Sequence, residues 1–137
     1  MVSKLDASLN FKTQALNLRM YRQQTIAANI ANADTPSYQA RDIDFRSALQ
    51  DSLAGRASEG SLEVARTNAR HIEGTGGNGL APLLYRTPYQ ASADGNTVDM
   101  DMERSNFAEN SVHLEFLLNS ISGDFKKMQT ALSGQGA

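Results

Sequence analysis

The residues whose types and spacing come closest to a chemical site are His71, His113 and the acids Asp94, Asp99, Asp101 and Glu103. His113 has Glu109 one helical turn before it. However, there is no His-Glu-x-x-His pair, no second histidine nearby and no cysteine anywhere, so neither histidine reads as a metal ligand. The acids alternate with apolar residues through VDMDME, 98–103. On an extended chain that puts Val98, Met100 and Met102 on one face and the carboxylates on a solvated one. The twelve-residue spacing of a calcium loop is absent. Gly74, Gly76, Gly77 and Gly79 lack the Gly-Lys-Ser/Thr ending of a phosphate loop, and no nucleophile-elbow pattern accompanies the serines. The residues therefore predict no catalytic, cofactor-binding or metal site and no small-molecule substrate.

Composition excludes further classes. The chain has 137 residues, 13 Lys plus Arg against 15 Asp plus Glu, and net charge −2, which lacks the basic excess of a dedicated nucleic-acid binder. Zero cysteines removes disulfides and thiol chemistry together. The first twenty residues break every apolar run with Asp, Ser, Asn or Lys, so no cleaved secretory signal is expected. No window approaches the roughly 20 apolar residues of a spanning helix. From these features alone the chain would be placed in the cytosol.

What remains is a pattern of elements. Residues 3–33 contain no Gly or Pro. Leu5, Leu9, Lys12, Leu16, Arg19, Gln23, Ile26 and Ile30 recur in alternating four- and three-residue steps, which predicts a long amphipathic helix ending before Pro36. Phe107, Ser111, Leu114, Leu118, Ile121, Phe125, Met128 and Leu132 repeat the steps more cleanly, the signature of a coiled-coil seam. Ser105 is a candidate N-cap for this second helix, and Gly134 and Gly136 end it. Between the helices, an extended approach at Ile43 and a short helix over 45–53 precede a polar loop over 54–80. Residues 83–86 and 97–102 read as strands of a small β-hairpin, with turn residues at 93–96. The expected fold is thus mainly α: long N- and C-terminal amphipathic helices forming a coiled-coil-like unit, an irregular middle and a small β-hairpin. The expected divisions are 1–33, 34–103 and 104–137. Two such helices can pair as an antiparallel hairpin, but a pair leaves much apolar stripe wet, so contact with neighbouring molecules gains weight.

The stretch ANIANADTPSYQ, 28–39, is odd as a helix end, because asparagine competes with the helix for backbone hydrogen bonds. It resembles the signature of the flagellar axial family, the rod and hook proteins of bacteria. Two further stretches, YQARDIDF (38–45) and DGNTVDMDMERSNFAENS (94–111), are similar to the short proximal rod members of that family. ARTNARHI (65–72) is familiar too. Ser37 stands where the family usually has Gly, so a positive φ there would strain it.

The resemblance implies a non-catalytic structural subunit of the proximal rod of the basal body, on the periplasmic side of the inner membrane. It would be exported by the flagellar type III apparatus without a cleaved signal and assembled helically to transmit torque. Implied partners are copies of itself, other rod proteins, the ring-to-rod adaptor, the membrane-ring protein and the export apparatus. Alternatives are another proximal rod component or a cytoplasmic coiled-coil adaptor. The expected subunit-interface residues are Leu5, Leu9, Leu16, Ile26, Asn29, Ile30, Asn32, Thr35, Pro36 and Tyr38 on the N-terminal side. On the C-terminal side they are Phe107, Leu114, Leu118, Ile121, Phe125, Met128 and Leu132. Asn29 and Asn32 are expected to bond backbone at the helix end and across to a neighbour.

Overall fold

A computed structural model describes residues 4–54, 81–87 and 92–134. It is mainly helical, with α1 (Lys4–Ala31), β1 (Arg41–Asp42), α2 (Phe45–Leu53), β2 (Leu84–Tyr85) and α3 (Met100–Ser133) in chain order. The glycine-rich run, the 65–72 stretch, His71 and Gly136 lie outside the described residues.

α1 and α3 pack side by side and antiparallel. Along the pair, Lys12 meets Asp124, Arg19 and Gln23 meet Asn110 and Ser111, and Asn29 meets Glu103. α2, the short helix expected over 45–53, packs on α1. Its N-cap is Asp44, whose carboxylate accepts from the Arg46 and Ser47 N–H groups. Leu18 of α1, Ile43, Ala48 and Ala81 form the apolar centre, flanked by Tyr21, Phe45, Leu49 and Leu83. The Arg19 guanidinium lies 4.0 Å from the Phe45 ring centroid.

The C-terminal helix starts earlier than the sequence pattern suggested. Residues 100–102 are helical, not strand, and Asp99 is the N-cap, accepting from the Asp101 and Met102 N–H groups at 3.0 and 3.2 Å. Ser105 lies inside the helix. An alternation of six residues also satisfies helical spacing, since Val98/Met102 and Asp99/Glu103 are four apart. The cap decides between the two readings, and the acids do not share a solvated face: Asp101 is exposed and Glu103 fully buried. At the other end Gly134 closes α3 in the left-handed conformation, φ 65°.

The small antiparallel sheet is present, but its strands are not hairpin neighbours. Arg41 pairs with Tyr85 and Asp42 with Leu84, and the Arg86 N–H donates to the Ala40 carbonyl at 2.9 Å. The segment after Asn96 instead crosses to the residues following α1. The Thr97 N–H donates to the Tyr38 carbonyl, and the Ala40 N–H to Thr97 Oγ1.

Candidate assembly surface and the clasp behind it

The amide-rich helix end is an internal joint. Asn29 is fully buried, and its side chain treats Arg41 as one peptide treats another: Nδ2 donates to the Arg41 carbonyl at 2.8 Å and Oδ1 accepts from the Arg41 N–H at 3.1 Å. Nδ2 also reaches Glu103 Oε2, and Oδ1 accepts from the Tyr38 hydroxyl, both at 3.4 Å. The amide supplies its donors and its acceptor on separate atoms, as this pairing with a peptide group requires. Asn32 serves its own helix, donating from Nδ2 to the Ala28 carbonyl at 2.8 Å. The same carbonyl accepts the Asn32 backbone N–H at 3.2 Å, so one residue closes the last turn of its own helix with two donors.

The partner of this joint is Asn96, which is buried. Its Nδ2 lies 3.0, 2.7 and 2.9 Å from the carbonyls of Asn32, Ala33 and Thr35. Two hydrogens serve three oxygens, so at least one is shared. Asn96 Oδ1 accepts from the Val98 N–H, closing a turn that leads into the cap of α3. The Ser37 N–H donates to the Asp94 carbonyl, and Ser37 has φ 59°, the left-handed conformation in which glycine is free of strain. The motifs at 28–38 and 94–99 are therefore two halves of one clasp, joining the end of α1 to the start of α3. Asn96→Ala leaves the helix-end carbonyls without these donors and should destabilise the chain by about 1–3 kcal/mol. Chemical denaturation followed by circular dichroism reads this directly, and an unchanged midpoint would assign the carbonyls to water.

One turn below the clasp sits a network of charges. Arg22 grips Asp42 with two hydrogen bonds, Nε to Oδ1 and Nη2 to Oδ2, each 2.9 Å. Arg86 bridges Asp42 Oδ2 at 2.9 Å and Glu103 Oε1 at 2.6 Å. The network thus ties α1, β1, α3 and the residue after β2. Among the seven buried apolar residues described, four are alanines, so these polar contacts carry much of the joint's specificity. No buried side-chain polar atom among the described residues lacks a partner.

Burial raises the Asp42 carboxyl, but hydrogen bonds from Arg22 and the Ile43 N–H, with the Arg22 and Arg86 charges, hold it below the usual carboxylate range. Burial pushes the Glu103 carboxyl up; the Arg86 charge and the Asn29 hydrogen bond oppose this without cancelling it. The signs differ. Asp42 adds stability above its unfolded pKa and loses it as pH falls through its depressed folded value. The Glu103 contribution is full below its unfolded pKa and is lost as pH rises through the raised folded value. Stability measured from pH 3 to 8 should therefore peak in the mildly acid range. Glu103→Gln should flatten the decline on the neutral side, and a decline that persists in that variant would belong to another group.

The exposed surface is apolar where α3 turns away from α1. Asn110, Leu117, Ile121 and Asp124 share, by their spacing, the face towards α1. Alternate members of the heptad stripe lie off that line: Leu118 is 54%, Phe125 58% and Leu132 89% exposed, and Phe107 is exposed as well. Leu114, Ile121 and Met128 are half-buried. On the N-terminal side Leu5, Thr35 and Pro36 are exposed, Leu9, Leu16, Ile30, Asn32 and Tyr38 half-buried, and Ile26 and Asn29 buried within the chain. Ile26 and Asn29 are thus spent on the intramolecular joint and offer no free surface to a neighbour. The sequence reading missed Val112 and Phe116 (68% exposed), an outward pair four residues apart on the back of α3. Helical spacing alone contained that signal. It also missed Arg86, Asp42 and Glu103 as one network, which no spacing reveals.

Among the described residues, no group of three or more His, Cys, Asp or Glu is placed to hold a metal ion. No described helix is long and apolar enough to cross a membrane. His113 and Glu109 form an exposed pair at 3.8 Å.

Comparison with known proteins gives two concordant findings. A family model described as "Flagella basal body rod protein" matches residues 9–39. Curated proteins named "Flagellar basal body rod protein FlgB" match nearly end to end. The one from Proteus mirabilis (strain HI4320) is 50% identical over 134 residues, 96% of this chain and 98% of the relative. The one from Salmonella typhimurium is 48% identical over 136 residues, covering 98% and 99%. That from Escherichia coli (strain K12) is 49% identical over 137 residues, covering 96% and 97%.

Proposed function

We infer the function from a settled premise: the chain belongs to the family of flagellar basal body rod proteins named FlgB. It is a structural, non-catalytic component of the basal body rod, and it associates with other rod components. In finer detail, the chain is a proximal rod subunit on the periplasmic side of the inner membrane. It is exported through the type III apparatus without cleavage of a signal, packs helically with copies of itself and with other rod proteins, and passes torque from the membrane ring to the axle. The ring protein and the ring-to-rod adaptor are its neighbours at the base.

The observation that carries this reading is the outward apolar stripe of α3, Phe107, Leu118, Phe125 and Leu132. A stripe this long is unusual on a chain that stays alone. The interface residues proposed are this stripe together with Leu114, Ile121 and Met128, and with Leu5, Leu9, Leu16, Ile30, Asn32, Thr35, Pro36 and Tyr38. Detergent-extracted basal bodies from the source cells, blotted for this chain, test the reading. The chain should co-purify with the rod. Its absence from basal bodies of cells that express it and swim would favour a cytoplasmic adaptor.

A further inference from the structure

We propose that Asp94–Gly95 is a site of spontaneous backbone modification, where aspartate isomerises to isoaspartate when the clasp opens and is held back while it is closed. This chemistry is independent of the chain's place in the rod.

Asp94–Gly95 is the one Asp-Gly pair in the chain. Both residues are exposed, and Gly95 has φ 76°. Without a Cβ, glycine leaves its amide nitrogen open to the preceding side chain and its backbone free to swing. In the reaction the Gly95 nitrogen attacks Asp94 Cγ. The N–H proton and the carboxyl hydroxyl leave as water, and a succinimide ring closes. Water then adds at one of the ring carbonyls. Cleavage at Cγ restores aspartate. Cleavage at the original main-chain carbonyl leaves the chain running through Cβ and Cγ, with a free α-carboxylate. The net change is an isomerisation that needs no reagent beyond the water first released.

The closed clasp opposes each part of this step. The Gly95 N–H is engaged with the Ser92 carbonyl at 3.2 Å. Asp94 Oδ1 accepts from the Ser92 hydroxyl at 2.5 Å and from the Asn96 N–H at 3.0 Å, which ties down the electrophile. These bonds, that from Ser92 foremost, hold the carboxyl below the usual carboxylate range, and the ionised group does not shed a hydroxyl as the acid does. The Asp94 carbonyl accepts from the Ser37 N–H at 3.0 Å, and Asn96 is anchored on the end of α1. Attack therefore waits for a local opening.

The product does not close the same clasp. Isoaspartate adds one carbon to the main chain, about 1.5 Å between Asp94 Cα and Asn96. The Asp94 carbonyl that receives Ser37 becomes a charged carboxylate, and the oxygen that received the Asn96 N–H becomes part of a peptide group. Asn96 is drawn out of register with the carbonyls of Asn32, Ala33 and Thr35. Opening, otherwise reversible, becomes permanent in the modified chain.

The full chain, incubated warm in mildly acid buffer with and without denaturing urea, tests this. Isoaspartate is located by electron-transfer fragmentation of the tryptic peptide 87–104. Peptide resolution is needed because Asn78–Gly79, in another tryptic peptide, deamidates to the same linkage. The folded chain should be modified at residue 94 at least about tenfold more slowly than the unfolded one. Ser92→Ala frees the carboxylate from one bond and should raise the folded rate several-fold. Asn96→Ala, which weakens the clasp, should move it towards the unfolded value. Ser92 is exposed, so its variant keeps the test decisive where Asn96→Ala does not fold. Asp94→Glu, whose longer side chain would have to close a larger ring, should show no modification. Isomerised chain, separated by hydrophobic-interaction chromatography, should unfold at lower urea than the unmodified chain. Equal rates in folded and unfolded chain, no isoaspartate at residue 94 even in urea, unchanged rates in both variants, or an isomerised chain as stable as the native one overturns the proposal.

Discussion

Arg86→Ala is expected to be the most damaging single substitution in the joint between the helices. Glu103 is fully buried, and its remaining side-chain partner would be Asn29 at 3.4 Å. Asp42 keeps its two bonds from Arg22, so the loss falls on Glu103. Removing one partner of a buried pair costs about 3–5 kcal/mol, because the other charge is left without compensation. For a chain of marginal stability that is a large share of the total. A urea midpoint should drop by roughly 2 M at a slope near 2 kcal/mol per M. The paired change Arg86→Met with Glu103→Met should recover most of it, since a buried ion pair exchanged for apolar side chains is often near neutral. If the double variant is as unstable as Arg86→Ala, the network's hydrogen bonds, rather than the stranded charge, set the cost. The double variant also keeps the test decisive where Arg86→Ala does not fold.

Leu118→Asp should separate folding from assembly. The side chain is 54% exposed in the isolated chain, so the change should move monomer stability by no more than about 0.5 kcal/mol. In an assembled apolar contact the same change forfeits about 1.5–3 kcal/mol of burial. It also buries a carboxylate, which without a partner costs several kcal/mol more. Together these exceed about 4 kcal/mol, a loss of association on the order of a thousandfold. Swimming-plate motility and the amount of chain in extracted basal bodies should both collapse, with an unchanged thermal melt of the purified chain. Ile121→Asp, half-buried and spaced to face α1, should instead lower the melt as well. Normal incorporation of Leu118→Asp would remove the stripe from the interface.

The long helices were legible because period is a property of the chain itself. Leu5 to Ile30 and Phe107 to Leu132 repeat at helical spacing whatever they touch. α2 was legible as a short helix over 45–53, whereas its capping acid, Asp44, emerged only in the structure. The boundary at Met100 was not. The alternation of Val98 to Glu103 suits a strand as well as a helix start, and the choice falls to the hydrogen bonds of Asp99. The sheet partner was equally hidden. Arg41 and Asp42 pair with Tyr85 and Leu84 across a long separation, and two residues per strand leave no periodic trace.

The sequence by itself determined the class of molecule: two amphipathic stripes and a motif at 28–38 that resembles one family's signature. Tertiary structure decided what the motif and the stripe do. It turned Asn29 inward to an opposing backbone, set Asn96 against the end of α1, and neutralised Glu103 with an arginine from outside either helix. It also turned Phe107, Leu118, Phe125 and Leu132 of the α3 stripe towards solvent. The physical reason is that helical periodicity fixes which residues share a face, whereas the direction that face points depends on charges and amides brought together from distant parts of the chain.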